Sequence, residues 1–106
     1  MKILFVDFVG FERTVKVMSY AKGLAKTVNN PVFNAIADMD ERIEATEVKK
    51  IKEFKDVGVL GEVNGEKVLL GTEKVMNEQN VMLKGDKENK IFFAINSQVQ
   101  AVFKIG

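Results

Sequence analysis

The residue types that most often carry out catalysis are missing from this sequence. It contains no histidine and no cysteine, so the commonest general base, the commonest metal ligand and every thiolate are absent. Carboxylates remain, and four of them, Asp38, Asp40, Glu41 and Glu44, fall close together. Their spacing lacks the regular oxygen ligands and the central glycine of a calcium loop. We therefore interpret this cluster as a solvated helix face, and carboxylate catalysis as the least favoured function.

The glycines form a second pattern that could serve chemistry. Gly58 and Gly61 lie three residues apart, and Gly71 is followed by Thr72, which we predict as the N-cap of a short helix. A phosphate-binding P-loop would continue into Gly-Lys-Ser/Thr and a helix, whereas this segment continues into β-forming residues. Taken alone, the spacing is equally typical of a bulged strand with a close backbone approach. A nucleotide site here would need a different geometry.

The composition is that of an ordinary globular domain. The chain has 106 residues, 46% apolar and 29% charged, so we predict one domain over residues 1–106. The net charge of +1 argues against electrostatic binding of nucleic acid. No stretch approaches the ~20 apolar residues that span a bilayer. Residues 1–9 are too short for a signal peptide, so we expect a soluble intracellular chain with no membrane partner.

The first half of the chain predicts one strand and two helices. Residues 2–9 are β-branched and aromatic, which predicts a strand. Apolar residues then recur every three or four positions, which predicts an amphipathic helix over residues 11–27. Asn30 is a good N-cap and Pro31 suits a first helical turn, so a second helix is predicted over residues 31–43. The apolar face of the first helix comprises Phe11, Val15, Met18, Ala21, Ala25 and Val28.

The second half predicts two antiparallel hairpins. Their turns are expected at Asn64-Gly65, a strong two-residue hairpin signal, and at Asn96-Ser97. Between the hairpins, residues 71–78 predict the short helix. Helices grouped early and strands grouped late predict an α+β fold, a two-layer sandwich with an antiparallel sheet of about six strands flanked by helices. The strands predicted in this half are residues 51–54, 57–63, 67–70, 91–95 and 99–105.

The order of these motifs resembles the nucleotide-binding domain of heavy-metal-transporting P-type ATPases. That family has Ser-Glu-His-Pro at the start of its second helix, where this chain has Val-Asn-Asn-Pro. The family continues with Gly-x-Gly-Val-x-Gly-x-Val, a turn and Val-Leu-Leu-Gly-Asn. This chain has Asp-Val-Gly-Val-Leu-Gly-Glu-Val and Val-Leu-Leu-Gly-Thr. The likeness covers essentially the whole chain and is most specific from Val57 to Met76.

The resemblance implies a domain that holds the adenosine part of ATP and presents its phosphate to a separate phosphorylation domain. Pro31, Gly58, Gly61 and Gly71 match the family. The departures fall where the family has Glu, His, Gly and Asn, and they are Asn29, Asn30, Asp56 and Thr72. Most matching residues shape the backbone and most departing ones touch the ligand, which indicates a remodelled site. The nucleotide-binding residues implied by the resemblance are Asn29, Asn30, Asp56, Gly58, Val59, Gly71 and Thr72.

The function expected from the resemblance is a non-catalytic nucleotide-binding domain of the metal-transport kind. We expect weak or lost ATP binding, magnesium only with the nucleotide, and a cytoplasmic location beside the phosphorylation domain of a larger ATPase. Asp7-Phe8-Val9-Gly10 resembles the phosphorylated Asp-Lys-Thr-Gly of P-type ATPases only in outline, so we place Asp7 on a solvent-facing strand position. The alternative is a stand-alone interaction or regulatory module that kept the fold and lost the nucleotide.

Overall fold

Six strands form one antiparallel sheet in the computed structural model, which describes residues 2–106. The strand order is β1-β6-β5-β4-β3-β2, so the first two strands of the chain are the two edges. The predicted α+β architecture, an antiparallel sheet of six strands flanked by helices, is confirmed. The strands are β1 (Ile3–Phe8), β2 (Lys49–Phe54), β3 (Gly58–Val63), β4 (Glu66–Gly71), β5 (Lys90–Ile95) and β6 (Gln98–Ile105).

Three helices cover the two faces of the sheet. The larger core lies under α1 (Thr14–Ala25) and α2 (Pro31–Ala37) and includes Phe33, Phe93 and Phe103. Strand residues alternate between faces, so Leu69 and Phe92 point to the other side, where α3 (Glu73–Glu78) covers them. This short helix, predicted over residues 71–78, thus forms a smaller, separate core on the face of the sheet opposite α1 and α2.

Both hairpin turns lie where the sequence predicts them. Asn64 and Gly65 have φ angles of +50° and +79°, and Asn96 and Ser97 have φ angles of +49° and +67°. Positive φ at both central residues matches the right-handed twist of the flanking strands, which is why Asn and Gly are favoured there. The Asn96 side-chain oxygen also accepts a hydrogen bond from the backbone N–H of Lys67 at 3.0 Å, which joins the two hairpins.

Both long helices are shorter than predicted. The first begins at Thr14 instead of residue 11, and Phe11 and Val15 are exposed instead of facing the core. The second ends at Ala37 instead of residue 43. Met39 and Ile43 still pack against the core, because the chain beyond α2 stays close to α1 without being helical.

A buried lysine holds this connecting segment in place. Lys22 is only 5% exposed, and its Nζ donates to the carbonyl oxygens of Asp40 at 2.9 Å and Ile43 at 2.7 Å. Gly23 allows the Thr46 carbonyl to approach the helix, since a β-carbon at that position would clash with it. The spacing of apolar residues along the sequence could not reveal either the hydrogen bonds of Lys22 or the close approach of Thr46 to Gly23. Among the described residues, no helix is long and apolar enough to cross a membrane.

Candidate nucleotide-binding site

One part of the predicted site is the tight connection between β2 and β3. Phe54 pairs with Gly58, so only three residues, 55–57, form the turn. Val57 ends it with φ +48°, a conformation that is unfavourable for a β-branched side chain. Thr72 fixes this conformation twice: its backbone N–H donates to the carbonyl of Val57 and its Oγ1 to the carbonyl of Asp56, each at 3.2 Å. We call residues 55–58 together with Gly71 and Thr72 the glycine turn.

Helix α3 packs directly on the two glycines of this turn. Gly58 and Gly71 are opposite each other in the β3–β4 pair. A β-carbon at Gly58 would lie 2.7 Å from both γ-methyl carbons of Val75, and one at Gly71 would lie 3.0 Å from the Val75 β-carbon. Real β-carbons do not come within 3.0 Å of such atoms. Close packing of α3 therefore requires glycine at position 58 and leaves little room for a side chain at position 71.

An ion pair closes the outer side of the glycine turn. The Lys74 Nζ lies 3.1 Å from Asp56 Oδ2, and both side chains are largely exposed. The hydrogen bond to Asp56 raises the pKa of Lys74 above its ordinary value. The sequence reasoning missed Lys74, because the pair forms only when the β2–β3 turn meets the first turn of α3. Asp56, which stands where the resembling family has glycine, is thus paired with the Lys74 ammonium group.

Thr72 occupies the N-cap position of α3 but does not cap it. Its side chain makes no hydrogen bond to the helix N–H groups and donates to the Asp56 carbonyl instead. The predicted N-cap position of Thr72 is therefore confirmed, but its side chain holds the glycine turn and not the helix. Val59 follows the turn with its side chain fully buried in the larger core, so only its backbone could contact a ligand.

The other part of the predicted site is the start of α2. Asn30 is the N-cap, as predicted: its Oδ1 accepts from the backbone N–H groups of Val32 at 2.9 Å and Phe33 at 3.4 Å. This leaves the Asn30 side-chain NH₂ as the group free to bind a ligand. Asn29 is exposed, and its Oδ1 accepts from Asn34 Nδ2 at 3.3 Å.

The structure brings five of the seven predicted residues into the glycine turn and its strand. They are Asp56, Gly58, Val59, Gly71 and Thr72. Asn29 and Asn30 form a separate group, because their side-chain hydrogen bonds stay within α2 and none reaches the glycine turn among the described residues.

The groups present fit the purine end of a nucleotide better than its phosphates. Amide N–H₂ groups and turn backbone could bind a purine edge. Phosphates need cations or a cluster of backbone N–H donors. Lys74 is already paired with the Asp56 carboxylate, and α3, which begins beside it, has only six residues.

The comparisons with known proteins concern the fold. No family model matches the sequence, and neither does any curated protein. The chain superposes on the N-domain of HMA8, a copper-transporting P-type ATPase, with a TM-score of 0.80 and 17% identity over 100% of both chains. The chain has the N-domain fold.

Two further structures agree with this assignment. The N-domain of HMA6, a copper-transporting P-type ATPase, gives a TM-score of 0.75 at 18% identity, over 97% of this chain and 95% of that one. The catalytic domain of the CPx-ATPase CopB-B, described in connection with nucleotide binding, gives 0.75 at 20% identity. The present chain aligns over 99% of its length but spans only 37% of that structure. At these identities, the likeness shows the N-domain fold alone.

Proposed function

We propose that this chain is a nucleotide-binding domain that holds ATP weakly through its adenosine part and is not catalytic alone. One observation carries the proposal: the N-domain fold extends over the whole chain, and five of the residues implied by the sequence resemblance lie in one turn of that fold and the strand that follows it. The nucleotide would lie between the start of α2 and the glycine turn.

Each part of this site would have a separate role. The side-chain amides of Asn29 and Asn30 would contact the purine edge. The backbone of Asp56, Gly58 and Val59 would lie against the purine or ribose, and the backbone of Gly71-Thr72 would border the opposite side. Magnesium would arrive only with the nucleotide. The partner would be the phosphorylation domain of a larger metal-pumping ATPase, on its cytoplasmic side.

Weak affinity follows from what the polar groups already do. The Asn30 oxygen already caps α2 and the Thr72 hydroxyl already donates to the Asp56 carbonyl, so this acceptor and this donor are not available to the ligand. The resembling family has a Glu and a His where this chain has Asn29 and Asn30. Hydrogen bonds to charged groups contribute ~1.5–3 kcal/mol, and about 1.4 kcal/mol is tenfold in affinity. We therefore expect ATP dissociation constants in the millimolar range or above.

The test is to restore the family's residues and measure ATP binding by calorimetry. The change Asn29→Glu/Asn30→His/Asp56→Gly should tighten binding by roughly ten- to a hundredfold, which is the effect of one or two regained contacts. It adds one negative charge at residue 29 and removes one at residue 56. The net charge therefore stays the same, and a gain in affinity cannot be a general electrostatic effect.

Two control variants separate an effect of the proposed site from loss of the α2 cap and from changes of charge elsewhere. Asn30→His removes the α2 cap, so Asn29→Glu/Asp56→Gly should be measured as well, because it leaves the cap intact. Gln98→Glu/Asp38→Ala exchanges the same charges at exposed positions outside the site and should change nothing. A folded triple variant without any gain would show that the proposed groove is wrong and would favour the alternative, an interaction or regulatory module without nucleotide. Backbone amide NMR shifts on adding ATP would locate any binding.

A further inference from the structure

Exposed apolar side chains are concentrated in strand β1 and the segment that follows it. Of the eight large hydrophobic residues that are exposed within residues 2–106, six lie between residues 4 and 15. Phe11 is 104% exposed and Val9 55%. Scattered exposed apolar residues are normal, whereas a contiguous set marks an interaction surface. We call this set the β1 patch, and it comprises Leu4, Phe5, Phe8, Val9, Phe11 and Val15.

The β1 patch surrounds an edge strand with unpaired backbone groups. Within residues 2–106, strand β1 is hydrogen-bonded to β6 and to no other strand. Lys2 exchanges both of its backbone hydrogen bonds with Gly106, and the Val9 N–H donates to Gln100, so these residues face inward. Ile3 pairs with Ile105 and Phe5 with Lys104, which makes Leu4 an extra residue in a bulge. Backbone direction alternates along a strand, so Ile3, Val6 and Phe8 present their N–H and C=O groups to the open side.

The opposite edge of the same sheet is protected in a way that β1 is not. Both edge strands contain a bulge, but strand β2 also carries three lysines, Lys49, Lys50 and Lys52. Lysines are among the usual devices that stop edge strands from pairing with another chain. Within Ile3–Phe8, Asp7 is the single charged residue. This edge therefore lacks the charges that would repel a partner strand.

We propose that the β1 edge pairs with β1 of a second copy of this chain to form a two-fold symmetric dimer. The strands run antiparallel, with Phe5 opposite Phe5 of the copy. Once the bulge at Leu4 is allowed for, this register places Ile3 opposite Val6 and Lys2 opposite Asp7. The backbone N–H and C=O groups of Ile3 and Val6 point to the open side of the strand, so each Ile3–Val6 pair across the interface is a hydrogen-bonded pair. Lys2 and Asp7 form two equivalent pairs of opposite charge across the interface.

Charge and area both favour a second copy as the occupant. A two-fold axis pairs Lys2, which precedes the strand, with the single aspartate of the strand, so neither charge is left facing apolar surface. The six side chains of the β1 patch expose on the order of 700 Å², taking roughly 200 Å² for a fully exposed aromatic residue. A standard interface covers ~800 Å² per partner, so the patch and the strand edge together suffice.

The first test is the oligomeric state of the 106-residue chain. Sedimentation equilibrium up to about 1 mM protein should show a monomer–dimer equilibrium. Phe5→Lys places two like charges at the axis and should raise the dimer dissociation constant by roughly tenfold or more, because central aromatic residues dominate interfaces. Ile51→Lys changes a side chain that is 41% exposed on the opposite edge and should leave the constant unchanged.

A second test addresses the register. Lys2→Glu and Asp7→Lys should each weaken the dimer, whereas the double variant should restore it, because the charge pairs are then reversed. Phe5→Cys introduces the sole thiol of the chain, and directly opposite residues of a non-hydrogen-bonded pair are close enough for a disulfide. Oxidation should therefore link two copies through this position much faster than through Phe11→Cys.

The outcomes are separable. A monomer at all concentrations would overturn the proposal, as would a dimer that Ile51→Lys disrupts and Phe5→Lys does not. A dimer sensitive to Phe5→Lys without rescue by the double charge exchange would overturn the proposed register. Dimer formation is measured without nucleotide, so its failure would leave the proposed ATP site untouched.

Discussion

The two parts of the candidate site are built in opposite ways. At the glycine turn, packing accounts for the two residues that match the family, because Val75 fills the space beside Gly58 and Gly71. Thr72, which departs from the family, holds the turn through its hydrogen bonds. At the start of α2, one cap fixes the backbone, and the amide donors beside it stay open to solvent. A glycine pattern shared with a nucleotide-binding family can therefore persist because a helix must pack on it. The evidence for a ligand must come from the polar groups that remain free.

The largest expected effect tests the packing of the glycine turn. Gly58→Ala should destabilise the fold by ~1–3 kcal/mol, because the added β-carbon overlaps the fully buried Val75 and overpacking costs about that much. Urea unfolding would measure the difference. The double variant Gly58→Ala/Val75→Ala should be less destabilised than the sum of the two single changes, since the smaller side chain makes room. If the destabilisation of the double variant equals the sum of the two single effects, Val75 is not the reason why position 58 is a glycine.

The start of α2 should respond less strongly and more selectively. Asn30→Ala removes the side-chain acceptor for two backbone N–H groups and should cost about 1 kcal/mol, within ~0.5–2 kcal/mol. The neighbouring change Asn29→Ala is the matched control. It removes one exposed hydrogen bond to Asn34 and should stay within about 0.5 kcal/mol. Equal effects on the urea midpoint would remove the distinction between a capping residue and a free one.

A smaller effect is expected at Thr72, which distinguishes a turn clamp from a helix cap. Thr72→Val keeps the shape of the side chain and removes the hydrogen bond to the Asp56 carbonyl, for a loss of ~0.5–1.5 kcal/mol. Hydrogen exchange should increase at the turn, whose backbone this bond holds, and remain unchanged within α3. Faster exchange throughout α3 would indicate that Thr72 caps the helix in solution.

The sequence predicts the sheet better than the helix ends, for a physical reason. Asn-Gly and Asn-Ser need few partners to form a turn, so local chemistry places both hairpins. Phe11 and Val15 have helical spacing but are exposed to solvent, and periodicity cannot tell which apolar face has a core beneath it. Met39 and Ile43 reach the core through an irregular segment that Lys22 holds.

In the candidate site too, local features could be predicted from the sequence and long-range contacts could not. Asn-Pro identifies the cap of α2 because the signal is contained within a few neighbouring residues. The bond from Thr72 to the Asp56 carbonyl and the pair between Lys74 and Asp56 each join residues more than fifteen positions apart. They depend on how β2, β3 and α3 meet, which no local pattern encodes. Residues that match a family motif could thus be found from sequence, whereas what their polar atoms already bind could not.

The smallest expected effect concerns pH and the ion pair at the glycine turn. The hydrogen bond to Asp56 raises the pKa of Lys74 above the ordinary lysine value of 10.5. A group whose pKa is raised by folding contributes stability that is fully present below its unfolded pKa and is lost as pH rises through the folded value. The pair should therefore support the turn at neutral pH and release it only in strongly alkaline solution. A carbon-detected NMR titration of the lysine side chains in the parent protein and in Asp56→Asn should show the pKa of Lys74 falling toward the ordinary lysine value in the variant, because the partner carboxylate is lost. If Asp56→Asn leaves the pKa of Lys74 unchanged, the pair is absent in solution, and Asp56 would present an uncompensated charge to any nucleotide phosphate.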